Sequence, residues 1–193
     1  MTKKLFCGAA VIWIASAVLA GPASAVEDGF GNAREVQSEH FAVYYAPELD
    51  LSGLIQQLNI SPSDELLAGK AIKKGYSLEG ELAGMVDTLF TQVCGILDMQ
   101  LYSFKGTIKI CRDSIELNDI YSRFKKSSGK PTRSFYSYEN NTVYTSPENF
   151  KPVIIGHEIA HAIISHYFVV LPSEKIQELL AQYVEFQLRK SGQ

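Results

Sequence analysis

The chain has 193 residues, a formal net charge of −3 and 46% hydrophobic residues, enough for one domain with a real core. The first 25 residues carry two lysines and no acid, so their removal leaves 168 residues and a charge of 16 − 21 = −5. That balance excludes a broad basic face for nucleic acid and gives no reason to expect anionic lipid binding.

Residues 1–25 read as a signal peptide. Lys3 and Lys4 form the basic start and Leu5 to Ala20 an apolar run too short for a comfortable membrane span. Ala23-Ser24-Ala25 then supplies the small residues of a cleavage site, with Val26 as the expected mature N-terminus. The expectation is an exported protein, periplasmic or secreted, with no membrane span after cleavage. Two of the three cysteines, Cys94 and Cys111, lie in the mature chain. In an oxidising compartment they are a natural disulfide pair, the alternative being two buried free thiols.

In chain order, residues 26–39 are polar with Gly29 and Gly31 and read as a flexible leader, so the single domain is expected over residues 40–193. Phe41 to Tyr45 is a strand, rich in aromatic and β-branched residues. Residues 50–75 hold short helical patches broken at Asn59-Ile60-Ser61-Pro62 and at Gly69. Apolar side chains at 78, 82, 85, 86, 89, 90, 93, 96 and 97 predict an amphipathic helix. Thr107 to Cys111 reads as a strand, Ser114 to Phe124 as a helix and Lys125 to Arg133 as a loop. Ser134 to Tyr138 and Thr142 to Thr145 flank Glu139-Asn140-Asn141 as a β-hairpin. Pro152 fits the first turn of the next helix. Val169 to Pro172 breaks the chain, and Ser173 opens a last helix running to about Lys190. Helices packed on a small mixed sheet predict an α+β domain.

The helix beginning at Pro152 carries Gly156-His157-Glu158-Ile159-Ala160-His161. Its two histidines, four residues apart, lie about 40° apart on one face. Imidazoles so spaced suit one Zn²⁺, and the adjacent Glu158 is placed as general base for a water that the metal activates. This is the HExxH pattern. The competing reading is a helix with two packing histidines. Because the helix is apolar nearly all round, burying two imidazoles and a carboxylate without partners would cost several kcal/mol. A metal satisfies all three.

Zinc needs a third protein ligand. A metzincin would place a histidine where Tyr167 stands, and His166 points about 140° round the helix from His161, so it reads as a packing or helix-end residue. Further on, Leu171-Pro172 and Glu178-Leu179-Leu180-Ala181-Gln182-Tyr183-Val184-Glu185 resemble the Leu-Pro … Glu-Gly-x-Ala-x-Tyr-x-Glu segment of gluzincins. With the Phe41–Tyr45 strand, the hairpin and HEIAH, the chain resembles a minimal peptidase of the thermolysin-like clan, a peptidase MA-like domain. Leu179 stands where that family has glycine, and no tryptophan precedes the glutamate.

The resemblance implies a zincin-like fold, Glu178 as the third ligand and an edge strand, Ser134 to Ser137, to which an extended peptide or protein substrate adds. Helix rise independently places His161 and Glu178 level, each about 8–10 Å from the turn between the two helices. Glu174 and Glu185 lie at other heights, and with His40 they remain the alternative ligands. Glu185, seven residues past Glu178, is expected to hydrogen-bond a ligand histidine. Tyr136, Tyr138 and Tyr167 are candidates for stabilising an oxyanion. The function expected is therefore an exported zinc metallopeptidase. The alternative is a catalytically silent zincin-like binding or assembly module with a structural metal, in which a partner completes the cleft.

Overall fold

The structure is a computed structural model, which describes residues 28–60, 77–125 and 132–191. The expected signal peptide, the helical patch beyond Ile60 and most of the loop at 125–133 lie outside the described residues. The rest is an α+β arrangement built on one mixed sheet.

Five strands form that sheet in the order β1-β2-β3-β5-β4: β1 (Arg34–Gln37), β2 (Phe41–Tyr45), β3 (Gly106–Ile110), β4 (Ser134–Ser137) and β5 (Thr142–Thr145). The three inner strands run parallel, and each outer strand is antiparallel to its neighbour. β4, paired with β5 through Phe135↔Tyr144 and Tyr136↔Val143, is an edge.

β1 corrects one expectation. Residues 26–39 are not a loose leader throughout, because 34–37 pair along β2 and bury Val36 at the sheet margin. A four-residue edge strand with a single apolar side chain offers too little alternation to be read locally. The turn between β1 and β2 is fixed from a distance: buried Asp87 accepts from Ser38 Oγ at 2.7 Å and from the backbone N–H of Glu39 and His40 at 2.9 and 3.0 Å.

Among the described residues five α-helices cover the sheet: α1 (Leu51–Leu58), α2 (Leu78–Leu97), α3 (Ser114–Lys125), α4 (Pro152–Tyr167) and α5 (Glu174–Ser191). α2 has the expected bounds. Ser77 caps its first turn by accepting from Gly80 N–H at 3.1 Å, and Asp98 in the left-handed region closes it. Its apolar side packs with α1, α4, α5 and one sheet face into the main core, which includes Leu89, Phe90, Ile108, Ile159 and Val184. A smaller cluster of Cys111, Leu117, Ile120 and Tyr144 forms beneath α3.

The two clusters explain the cysteines. Ile110 belongs to the main core, so the next residue along the strand direction, Cys111, turns to the other face. Cys94 on α2 belongs to the main core. The expected disulfide is therefore absent, and both thiols are free and buried. Burial pushes Cys94 up and Cys111 to about 12, so both are poor nucleophiles.

Candidate metal centre

α4 forms where expected because Pro152 suits the first helical turn and an almost unbroken apolar run follows. It is buried along Ile155, Glu158, Ile159, Ala160, Ala162, Ile163 and Ile164, between the sheet on one side and α2 and α5 on the others. α4 and α5 are separated by the six residues 168–173, slightly more than the break expected at 169–172. Among the described residues the two helices still pack against one another more extensively than any other pair of elements. Gly156 sits at their contact, where an added Cβ would collide with Leu188 Cδ1 of α5.

The contact brings three donor atoms to one point. His157 Nε2 and His161 Nε2 are 3.2 Å apart, and Glu178 Oε2 lies 3.6 Å from each. Ligands about 2.0–2.1 Å from a tetrahedral zinc are separated by about 3.3–3.4 Å, so the triangle already has nearly the size such an ion requires. Two imidazoles and one carboxylate are also a donor set that zinc accepts in open sites. Among the described residues no other group of three His, Cys, Asp or Glu side chains converges in this way.

Two of the three donors are held from behind. Gln182 Nε2 donates to Glu178 Oε1 at 2.9 Å, leaving Oε2 to face the histidines. Glu185 Oε1 lies 2.7 Å from His157 Nδ1, which is where the sequence puts it, although off the axis of a well-aligned hydrogen bond. Glu185 in turn accepts from Arg189 at 2.7 Å. Burial, reinforced by the positive field of His157, lowers His161 to about 4. Its ring is thus neutral at physiological pH, the form in which imidazole ligates.

Glu158 lies outside the triangle and is buried. Burial pushes its pKa up, and hydrogen bonds from Ser134 and from the Tyr136 backbone, with the field of His157, oppose the rise. The Ser134 hydroxyl donates to Glu158 Oε1 at 2.6 Å, the short length of a charge-assisted bond. Neither Ser134 nor Gln182 stands out in the sequence as a partner of these carboxylates. Gln182 was legible in principle, since it lies four residues after Glu178 on one helix. Ser134 comes from across the fold.

Other candidates fall elsewhere. Tyr136 hydrogen-bonds Asn141 Oδ1 at 2.9 Å and Ser165 Oγ at 3.1 Å, and burial pushes it up to about 12. Tyr138 and Tyr167 are exposed, the latter against Phe168. No hydrogen bond among the described residues links any of these three tyrosines to the triangle or to the Glu158 side chain through its hydroxyl. His40 stacks on Phe90 with 4.2 Å between ring centroids. His166 Nδ1 lies 2.9 Å from Ala162 O and packs edge-on against Phe104. Glu174 acts on His161 only through its field.

No family model, curated protein or solved structure matches the chain.

Proposed function

We propose that the chain is an exported zinc metallopeptidase of gluzincin type with a zincin-like fold, active in a periplasm or outside the cell on peptide or protein substrates. The observation that carries the reading is the convergence of His157 Nε2, His161 Nε2 and Glu178 Oε2 at 3.2–3.6 Å, next to a buried carboxylate that is not part of the donor set. A bound zinc supplies Lewis-acid polarisation of the scissile carbonyl and brings a water towards a pKa near 7. His157, His161 and Glu178 would hold the ion, and Glu185 would orient His157.

Glu158 takes the proton of the attacking water and passes it to the leaving amine. Its raised pKa suits both halves of that task, since a carboxylic acid too strong would not hold the proton between them. A purely structural metal site has no use for such a base. The edge of β4 is the strand on which an extended peptide would pair, main chain to main chain.

A second reading, a silent binding or assembly module with a structural metal, is favoured by one observation. Ile176, Leu179, Tyr183 and Phe186 are exposed along one face of α5, away from the Ala181, Val184 and Leu188 face buried in the core. A partner seated there would lie close to Glu178.

Two substitutions separate the readings. Glu178→Ala removes a ligand, so zinc binding and hydrolysis are both expected to be lost. Glu158→Gln keeps the donors, so zinc is expected to stay near one equivalent while hydrolysis of a peptide library falls about 10²–10⁴-fold. A Glu158→Gln protein that cleaves as fast as the parent would overturn the catalytic reading, and zinc binding without hydrolysis in the parent would favour the silent module.

A further inference from the structure

β4 reaches Glu158 with its first residue. Ser134 and Tyr136 lie two apart and so point to the same side of the strand, towards α4, while Phe135 points to the other and stacks on Tyr144 at 4.7 Å. The Ser134 hydroxyl meets Glu158 Oε1 at 2.6 Å and the backbone of Tyr136 supports the same carboxylate. A glutamate has three rotatable bonds, and its position on a helix restricts only the first. Glu158 follows a metal-site histidine directly, so the direction of its carboxylate decides whether a proton can be collected beside the three donors.

We infer that Ser134 is a positioning residue for Glu158: its hydroxyl pins Oε1 to the edge strand and leaves Oε2 as the proton-accepting oxygen. This rests on the proposed peptidase reading. Because Ser134 lies on a strand and Glu158 on the helix behind it, the bond also ties the base to the sheet edge, so a shift of β4 relative to α4 moves the carboxylate. The bond is directional and charge-assisted, which makes it a stronger constraint than packing alone. Misplacing a reacting group by about 1 Å can cost on the order of 10²-fold in rate.

Two experiments on the purified chain test the inference. On zinc-loaded protein and the peptide that the parent cleaves fastest, Ser134→Ala is expected to lower kcat about 10- to 100-fold with KM within about twofold and zinc near one equivalent. Ser134→Thr, which keeps a hydroxyl at the same atom, is expected to recover most of the loss. A kcat within about twofold of the parent in Ser134→Ala, or no recovery in Ser134→Thr, would overturn the role. The second experiment needs no activity. In denaturant unfolding of the metal-free protein, Ser134→Ala should raise the unfolding constant about tenfold when Glu158 is present and by less than about twofold in the Glu158→Ala background. Equal effects in both backgrounds would show that the bond does not exist. If this coupling is found but the parent neither binds zinc nor cleaves peptide, the peptidase reading fails, and Ser134 keeps a structural bond without a positioning role.

Discussion

Two polar clusters lie on opposite faces of the same sheet, and they are built to opposite rules. Beneath α3, buried Asp28 accepts from Lys109, from the Tyr144 hydroxyl and from Phe30 N–H, while Asn140 Nδ2 donates to Tyr144 at 2.7 Å. Burial alone would raise the Asp28 carboxyl, but these donors together hold it below the ordinary carboxylate range. On the α4–α5 side, His157, His161 and Glu178 turn lone pairs towards one another, with 47% of the Glu178 side chain open to solvent. In the first cluster each charge is answered within the chain and the result is stability. In the second the donors converge on one point, where the proposed zinc would answer them.

That contrast can be broken in order of expected effect. Zinc at about a thousand times its dissociation constant should stabilise the protein by about 4 kcal/mol. Thermal unfolding with and without zinc should show this rise in the parent and in Asp28→Asn, and a rise of no more than about 1.4 kcal/mol in Glu178→Ala. Without metal the ranking reverses. Asp28→Ala strips buried Tyr144 and half-buried Lys109 of their acceptor and should cost about 2–4 kcal/mol in urea unfolding. Glu178→Ala should then cost less than about 1 kcal/mol. Equal losses from the two would erase the distinction between the clusters.

The pH dependence of the metal-free protein sharpens it further. His161 falls from 6.5 to about 4 in the folded chain, so between those values the unfolded chain binds more protons and stability drops as pH falls. The His161 contribution, on the order of 3 kcal/mol at most, should appear between about pH 6.5 and 4 as the difference between the parent and His161→Ala. Asp28, lowered in the fold, adds a loss only at more acidic pH, below the ordinary carboxylate value. The smallest effect concerns the thiols. Reductant should leave stability unchanged within about 0.5 kcal/mol, where a disulfide closing that loop would have contributed about 3 kcal/mol. Both cysteines should be alkylated in unfolded, non-reduced protein.

Legibility in the sequence followed the distance over which each feature is encoded. α2 is a cap and a twenty-residue apolar period, all local, and its bounds were readable to the residue. His157, Glu158 and His161 share one helical turn. Glu178 required only a second helix and its rise, and the six-residue connection did not disturb the level of the pair. Glu185 followed from the same helix face. What local pattern does not carry is which sheet face a residue joins. β1 was hidden because one buried valine makes no alternation, and the Cys94–Cys111 pairing failed because a single step along β3 puts Cys111 across the sheet. Ser134 was hidden for the same reason, since its meeting with Glu158 depends on the packing of β4 against α4.

His157, His161 and Glu178 are proposed to form one metal site. The decisive measurement is calorimetric titration of the metal-free protein with zinc. One equivalent is predicted to bind with a dissociation constant below about 1 μM, weakened at least about 100-fold by Glu178→Ala and by His161→Ala and unchanged by Asp28→Asn. Absence of a one-equivalent site in the folded parent, or full affinity retained in Glu178→Ala, would contradict it.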